Sequence, residues 1–203
     1  DVNSDAINQA VRSFHEEGVV VLPPGTYNIS ETLELSTATS HSCYLFRGEF
    51  REGTILNRVL QDGGPCIRNE STRIRDIEIQ GAYEPVNTPI KALLPWNRFD
   101  RCALRNTGTN GGPDLENVRI RRFPVGIHMR SRVLDLPQTW NESKHCWLPP
   151  GDEESTCQKA ARFRGVTVTD VDYGVVFDTG ANGSTLRDVV IARAHVGVLF
   201  PKL

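Results

Sequence analysis

Leu115-Glu-Asn-Val-Arg-Ile120, Phe163-Arg-Gly-Val-Thr-Val168 and Leu186-Arg-Asp-Val-Val-Ile191 superpose residue for residue, and Ile74-Arg-Asp-Ile-Glu-Ile79 is a fourth copy. The last three copies run on into matching tails, Phe123-Pro-Val-Gly126-Ile-His-Met129, Val171-Asp-Tyr-Gly174-Val-Val-Phe177 and Ala194-His-Val-Gly197-Val-Leu-Phe200. The final two copies start 23 residues apart, and the earlier offsets of 41 and 48 leave room for insertions. A unit of this size cannot bury its apolar face alone, so repeated units stack, each covering the next. Apolar residues alternate within a copy, as in Val166 and Val168 before the bend and Val171, Tyr173, Val175 and Phe177 after it. That two-residue period turns one face of each strand inward. It leaves Gly126, Gly174 and Gly197 at outward positions in register. An antiparallel sandwich is the competing arrangement, but Asn-Gly and Asp-Gly hairpin turns are missing between most strand pairs.

Upstream of the repeats, Ser4 is placed to cap a helix from Asp5 to about Glu17, because Ala6, Ile7, Ala10, Val11 and Phe14 recur at helical spacing before Gly18. Val19-Val-Val-Leu22 then reads as a buried strand, and Pro23-Pro-Gly-Thr-Tyr27 as a tight turn. The expectation is an all-β parallel β-helix solenoid forming one domain over 1–203. Residues 1–18 would be the capping helix and 19–203 the coils, with loop insertions near 84–112 and 130–160.

The chain has 23 basic and 25 acidic residues, a formal charge of −2, so no bulk field draws in a polyanion and no nucleic-acid partner is expected. No segment is apolar enough to span a bilayer, which takes about 20 residues, and no membrane partner is expected either. The chain opens on Asp1 and its one methionine is Met129, which suggests a processed start from which any signal peptide has been removed. The five cysteines lack CxxC spacing, so a metal site is not expected. Cys146 and Cys157 bracket a turn-rich loop that a disulfide could staple; five reduced thiols is the alternative. Asn-x-Ser triplets stand at Asn28, Asn69, Asn141 and Asn182, more than the roughly one or two that chance would give, which favours glycosylation and an extracellular or virion-surface location.

Asp5-Ala-Ile-Asn-Gln-Ala-Val11, Gly18-Val-Val-Val-Leu-Pro-Pro-Gly-Thr-Tyr27, Leu45-Phe-Arg-Gly48 and Gly53-Thr-Ile-Leu56 together resemble the start of the pectate-lyase-like right-handed parallel β-helix family. That family includes phage tailspikes, polysaccharide lyases, polygalacturonase-like hydrolases and fungal glucanases. The resemblance implies a right-handed solenoid with its leading helix as a cap, but it does not name a reaction. The Asp-Asp pair, Gly-His-Gly and Arg-x-Lys of the polygalacturonase-like members are absent, as is the Asp-Pro-His of the epimerases. An active site would then lie beyond Leu203 or be completed by a neighbouring chain, unless catalysis is lacking. Further coils, or copies of the chain, are expected against the C-terminal rung.

Aligning the copies stacks Arg122, Asp170 and Arg193 in one outward column and Pro124, Asp172 and His195 in the next. Asp170 and Asp172 would sit about 7 Å apart at Cα, within the roughly 6.5–9.5 Å range of the carboxyl pair in inverting glycosidases. On that reading Asp170 is the base, Asp172 beside His195 is the acid, and Arg122 and Arg193 grip anionic sugars. The alternative is a salt-bridge ladder between rungs. Trp96 and Trp147 lie in the insertions and could stack on sugar rings or close apolar gaps. Glu78, Arg119 and His128 are expected on a solvated face. No cofactor is implied, and calcium use cannot be read from these residues. The functional expectation is a β-helix that binds an acidic polysaccharide, with depolymerisation by it left open; the alternative is a non-catalytic structural module of a fibre.

Overall fold

A computed structural model describes residues 3–13, 18–35, 43–59, 64–69, 72–85, 101–107, 113–130, 139–141, 146–148, 161–177 and 184–200. Among them is one short helix, and the parallel strands curl as a half-barrel. Three columns of parallel pairing account for the main sheet. The first holds β1 (Gly18–Leu22), β4 (Cys43–Gly48), the starts of β7 (Arg73–Gln80) and β9 (Asp114–Met129), then β12 (Arg162–Arg164) and β14 (Thr185–Arg187). The second holds β2 (Gly25–Ile29), β5 (Thr54–Arg58), the later parts of β7 and β9, and the starts of β13 (Thr167–Phe177) and β15 (Val190–Leu199). The third holds β3 (Leu33–Glu34), β6 (Ile67–Asn69), β8 (Cys102–Asn106) and the ends of β9, β13 and β15. Such pairing is incompatible with the antiparallel sandwich. The antiparallel pair among the described residues joins β10 (Thr139–Asn141) to β11 (Cys146–Leu148).

The hexapeptide copies fall in register as aligned, Ile74 beside Leu115, Leu115 beside Phe163 and Phe163 beside Leu186. Their inward residues build the core, in which Phe46, Ile74, Leu115, Val168 and Val175 have no exposed surface. Between the first and second columns the chain turns on a single residue in the left-handed region: Asp76 (φ 53), Asn117 (φ 54), Gly165 (φ 61) and Asp188 (φ 53). Asp, Asn and Gly tolerate that conformation best, which explains why the third position of every copy is one of these. Asn117 Nδ2 donates to Asp76 Oδ1 at 2.6 Å, linking successive corners. Arg122 (φ 62), Asp170 (φ 56) and Arg193 (φ 51) repeat the device between the second and third columns.

Several expectations need correcting. The helix α1 covers Ser4–Arg12, with Asn3 rather than Ser4 at its N-cap position. Ser4 is buried and its Oγ accepts from the backbone N–H groups of Ser30 and Glu31, tying the helix to the end of β2. Ile7 and Val11 cover the first rung from above. β1 is half-buried, with Val19 and Val21 exposed. β8 is a full member of the third column inside what reads as the 84–112 insertion, with Leu104 paired to both Ile67 and Ile127. Gly126 and Gly174 are buried rather than outward. A Cβ on Gly126 would lie 2.5 Å from Val168 Cγ1 and 2.6 Å from Gly174 O, so the glycines let column three close onto the core. Tyr173 leaves the main core for a second cluster with Cys102, Val125 and Val176, so the third column is buried on both faces.

The last rung is less covered than those before it. Leu186 is 46% exposed where its partner Phe163 is 1% exposed, and Phe200, stacked on Phe177 at 5.0 Å between centroids, is 66% exposed.

Candidate functional site

Asp172 lies on β13 just past the second corner, where the turn at Asp170 redirects the strand. It was expected on the outer face but is only 3% exposed. Residues 81–85 follow β7 and run beside β9, with Gly81 N–H donating to Arg121 O and Tyr83 N–H to Arg122 O. That path carries Tyr83 over the corner, where its hydroxyl donates to Asp172 Oδ2 at 2.5 Å. His195, one rung on, places Nδ1 3.0 Å from Asp172 Oδ1. With Asp172 ionised its oxygen accepts and Nδ1 donates, which in a neutral imidazole leaves the lone pair on Nε2. Burial first, then the bond and charge of Asp172, push the Tyr83 hydroxyl pKa up, while Arg101 opposes them. The arrangement orients an imidazole through a buried carboxylate, the division of labour by which a histidine becomes a general base or acid.

Asp170 has a different environment. Arg193 meets it in two contacts, Nε to Oδ1 at 2.6 Å and Nη2 to Oδ2 at 2.7 Å. Both carboxylate oxygens are therefore engaged, which suits a rung-to-rung link better than the role of base. Arg122 pairs with Glu84 at 3.3 Å rather than with Asp170. The expected column of Arg122, Asp170 and Arg193 thus splits into two pairs. Asp172 and His195 are brought together as expected, and Tyr83 joins them without any sequence signal to announce it.

Glu78, expected on a solvated face, is 3% exposed. Arg121 Nε lies 2.6 Å from Glu78 Oε1 and Arg119 Nη1 lies 3.4 Å from Oε2. His128, expected outward, is 1% exposed. Asn69 is a corrected glycosylation candidate: it has no exposed surface, and its Nδ2, the atom a glycan would join, donates to Thr72 O. Asn28 is half-buried and accepts from Asn57 Nδ2. Trp96, Cys157 and Asn182 lie outside the described residues, as do the side chains of Trp147, Asn141 and Cys146. Cys66 and Cys102 are both buried. Among the described residues no three His, Cys, Asp or Glu side chains gather as a metal group.

A second charged region lies on the outer face of the first column. Arg73 pairs with Asp114 at 3.3 Å, and Glu116 lies 3.0 Å from Arg75 and 3.6 Å from Arg164. Its signal was present in the sequence, since the second position of the copies reads Arg75, Glu116, Arg164 and Arg187.

Comparison with family models, with curated proteins and with solved structures finds no match for this chain.

Proposed function

We propose that the chain is a section of a right-handed parallel β-helix solenoid of the pectate-lyase-like kind, and that it binds an acidic polysaccharide at an extracellular or virion surface. The three columns of parallel strands and the single-residue corners support the solenoid. The observation that carries the functional reading is Asp172, a buried carboxylate held between Tyr83 and His195. Side chains placed so far apart in sequence converge in this way at sites of proton transfer. If the polymer is cleaved at this corner, His195 moves the proton, Asp172 orients it, and the guanidiniums of Arg193 and Arg122 hold sugar carboxylates nearby. Asp172 is thus a positioning residue here, and the acid–base role passes to His195.

The test is release of oligosaccharides from polyuronates by the intact protein. His195→Ala should abolish it, and Asp172→Asn should lower it at least about a hundredfold and move its pH profile. Absence of both release and binding of any acidic polysaccharide overturns the reading.

A structural module is the second reading, favoured by the exposed apolar residues of the last rung, Leu186, Val198 and Phe200. On that reading a further coil or another copy of the chain docks there and extends the stack. Discrete higher oligomers in sedimentation, lost on Phe200→Asp, would support it.

A further inference from the structure

Arg58 ends β5, where burial alternates so that Thr54, Leu56 and Arg58 share the covered face and Ile55 and Asn57 the other. Leu56 on that face belongs to the core, and so does Ile29, the register partner of Arg58 in the preceding rung. The arginine therefore points into the interior of the stack, where it is 6% exposed. In the next rung Gly81 follows Gln80, the partner of Asn57. Gly81 has no side chain to offer, and its N–H already donates to Arg121 O. The Arg58 Nε and Nη1 atoms are both buried, and neither has a hydrogen-bond partner among the described residues. Glu78 and Asp172 are buried at least as deeply, yet Glu78 lies against Arg119 and Arg121, and Asp172 against Tyr83 and His195. Burial pushes the Cys66 thiol up to about 12 against the opposing charge of Arg58, so Cys66 is neutral at neutral pH and supplies no counter-charge. An arginine keeps its charge in a protein interior, and a charge taken out of water without an opposite one is among the costliest groups to bury.

We propose that the Arg58 guanidinium binds a small monovalent inorganic anion inside the stack, with chloride as the probe. Nε and Nη1 lie on opposite edges of the guanidinium, so whichever edge the anion takes, it finds a buried N–H without a partner. An anion accepts that hydrogen bond and also offsets the charge. A water molecule would do only the first, and its own hydrogens need acceptors that the side chains of Ile29 and Leu56 do not have. The site is separate from the His195 corner and stands or falls without the polysaccharide reading.

Urea unfolding of the intact protein tests it, with chloride replacing gluconate at constant ionic strength. A ligand held by the folded chain alone stabilises it by mass action, so the midpoint should climb with chloride and, once the site is full, with the logarithm of its concentration. Arg58→Met, which keeps the apolar stem, should lose that dependence. Arg58→Lys, which keeps the charge but not the planar fork, should need roughly tenfold more chloride for the same gain. Arg12→Gln, at an exposed position of α1, should keep the dependence in full and control for general salt effects. Crystals of the natural chain grown in bromide should show an anomalous peak in contact with the Arg58 guanidinium. A chloride gain undiminished in Arg58→Met overturns the site, as does, should that variant fail to fold, a gain unshifted in Arg58→Lys. Absence of any chloride gain in the natural chain, or of the bromide peak, overturns it in favour of bridging water.

Discussion

Tyr83 and Asp172 are 89 residues apart in the chain and meet at 2.5 Å, hydroxyl to carboxylate. Burial and the neighbouring carboxylate hold the Tyr83 pKa above its ordinary value of 10.0. A raised tyrosine pKa means that the unfolded chain loses this proton first. The contribution of Tyr83 to stability is therefore complete below pH 10 and is lost as pH rises from there through the folded-state value. Urea unfolding at about pH 9 and 11 should show a steeper loss for the natural chain than for Tyr83→Phe. Equal losses in the two proteins would sink the linkage.

Removing the Tyr83 hydroxyl should also weaken the fold at neutral pH. Asp172 is 3% exposed and would keep one partner instead of two. A buried acceptor left short of a donor costs about 1–3 kcal/mol, so the urea midpoint of Tyr83→Phe should fall with an unchanged slope.

The core residues Phe163 and Leu186 are neighbours in register, yet one is 1% and the other 46% exposed. Phe163→Ala should cost about 3–5 kcal/mol through lost burial and the cavity left behind. Leu186→Ala should cost under about 1.5 kcal/mol, because much of that side chain is already in water. Equal costs would show that the last rung is covered in solution, which sedimentation would then report as association.

Glycines at equivalent positions should respond unequally to alanine. At Gly174 an added Cβ would lie 2.4 Å from Gly197 O and 2.7 Å from Ile191 Cγ2, whereas at Gly197 it meets nothing within 4 Å. Gly174→Ala should lower the melting temperature by several degrees, at the roughly 4–8 °C per kcal/mol of smaller domains or somewhat less here, while Gly197→Ala should leave it nearly unmoved.

The thiol of Cys66 is fully buried, and burial pushes its pKa up to about 12. Alkylation by iodoacetamide at about pH 8 should spare Cys66 in the native protein and modify it only on unfolding, because the thiolate is the reactive form. Rapid labelling of the native chain at Cys66, read by peptide mass, would contradict its place in the core.

How much of this was legible in the chain differs from element to element. The register Ile74, Leu115, Phe163, Leu186 could be read directly, because inward residues must recur wherever successive units cover one another. The Asp, Asn or Gly at the third position of each copy likewise marks a backbone that must turn left-handed there. The pairing of Asp172 with His195 followed from the same alignment, since both stand two residues past the corner in successive copies. β8 escaped notice because residues 102–106 belong to no repeat copy, and only pairing with Ile67 and Ile127 shows them to be part of the stack.

The sequence by itself determined the periodic pattern: which residues stack on which, where the chain bends, and which side chains recur on each outer column. Tertiary structure alone decided what covers those columns. Periodicity assigns a side chain to one of two faces but cannot tell whether an outer face meets water or another segment. Asp172, Glu78 and His128 all sit on positions read as outward, and all three are buried, Asp172 under Tyr83 and His195 and Glu78 beside Arg119 and Arg121. Tyr83 arrives over Asp172 only because residues 81–85 run beside β9. Together with burial, that contact between distant parts of the chain raises the Tyr83 pKa, and no local spacing encodes it.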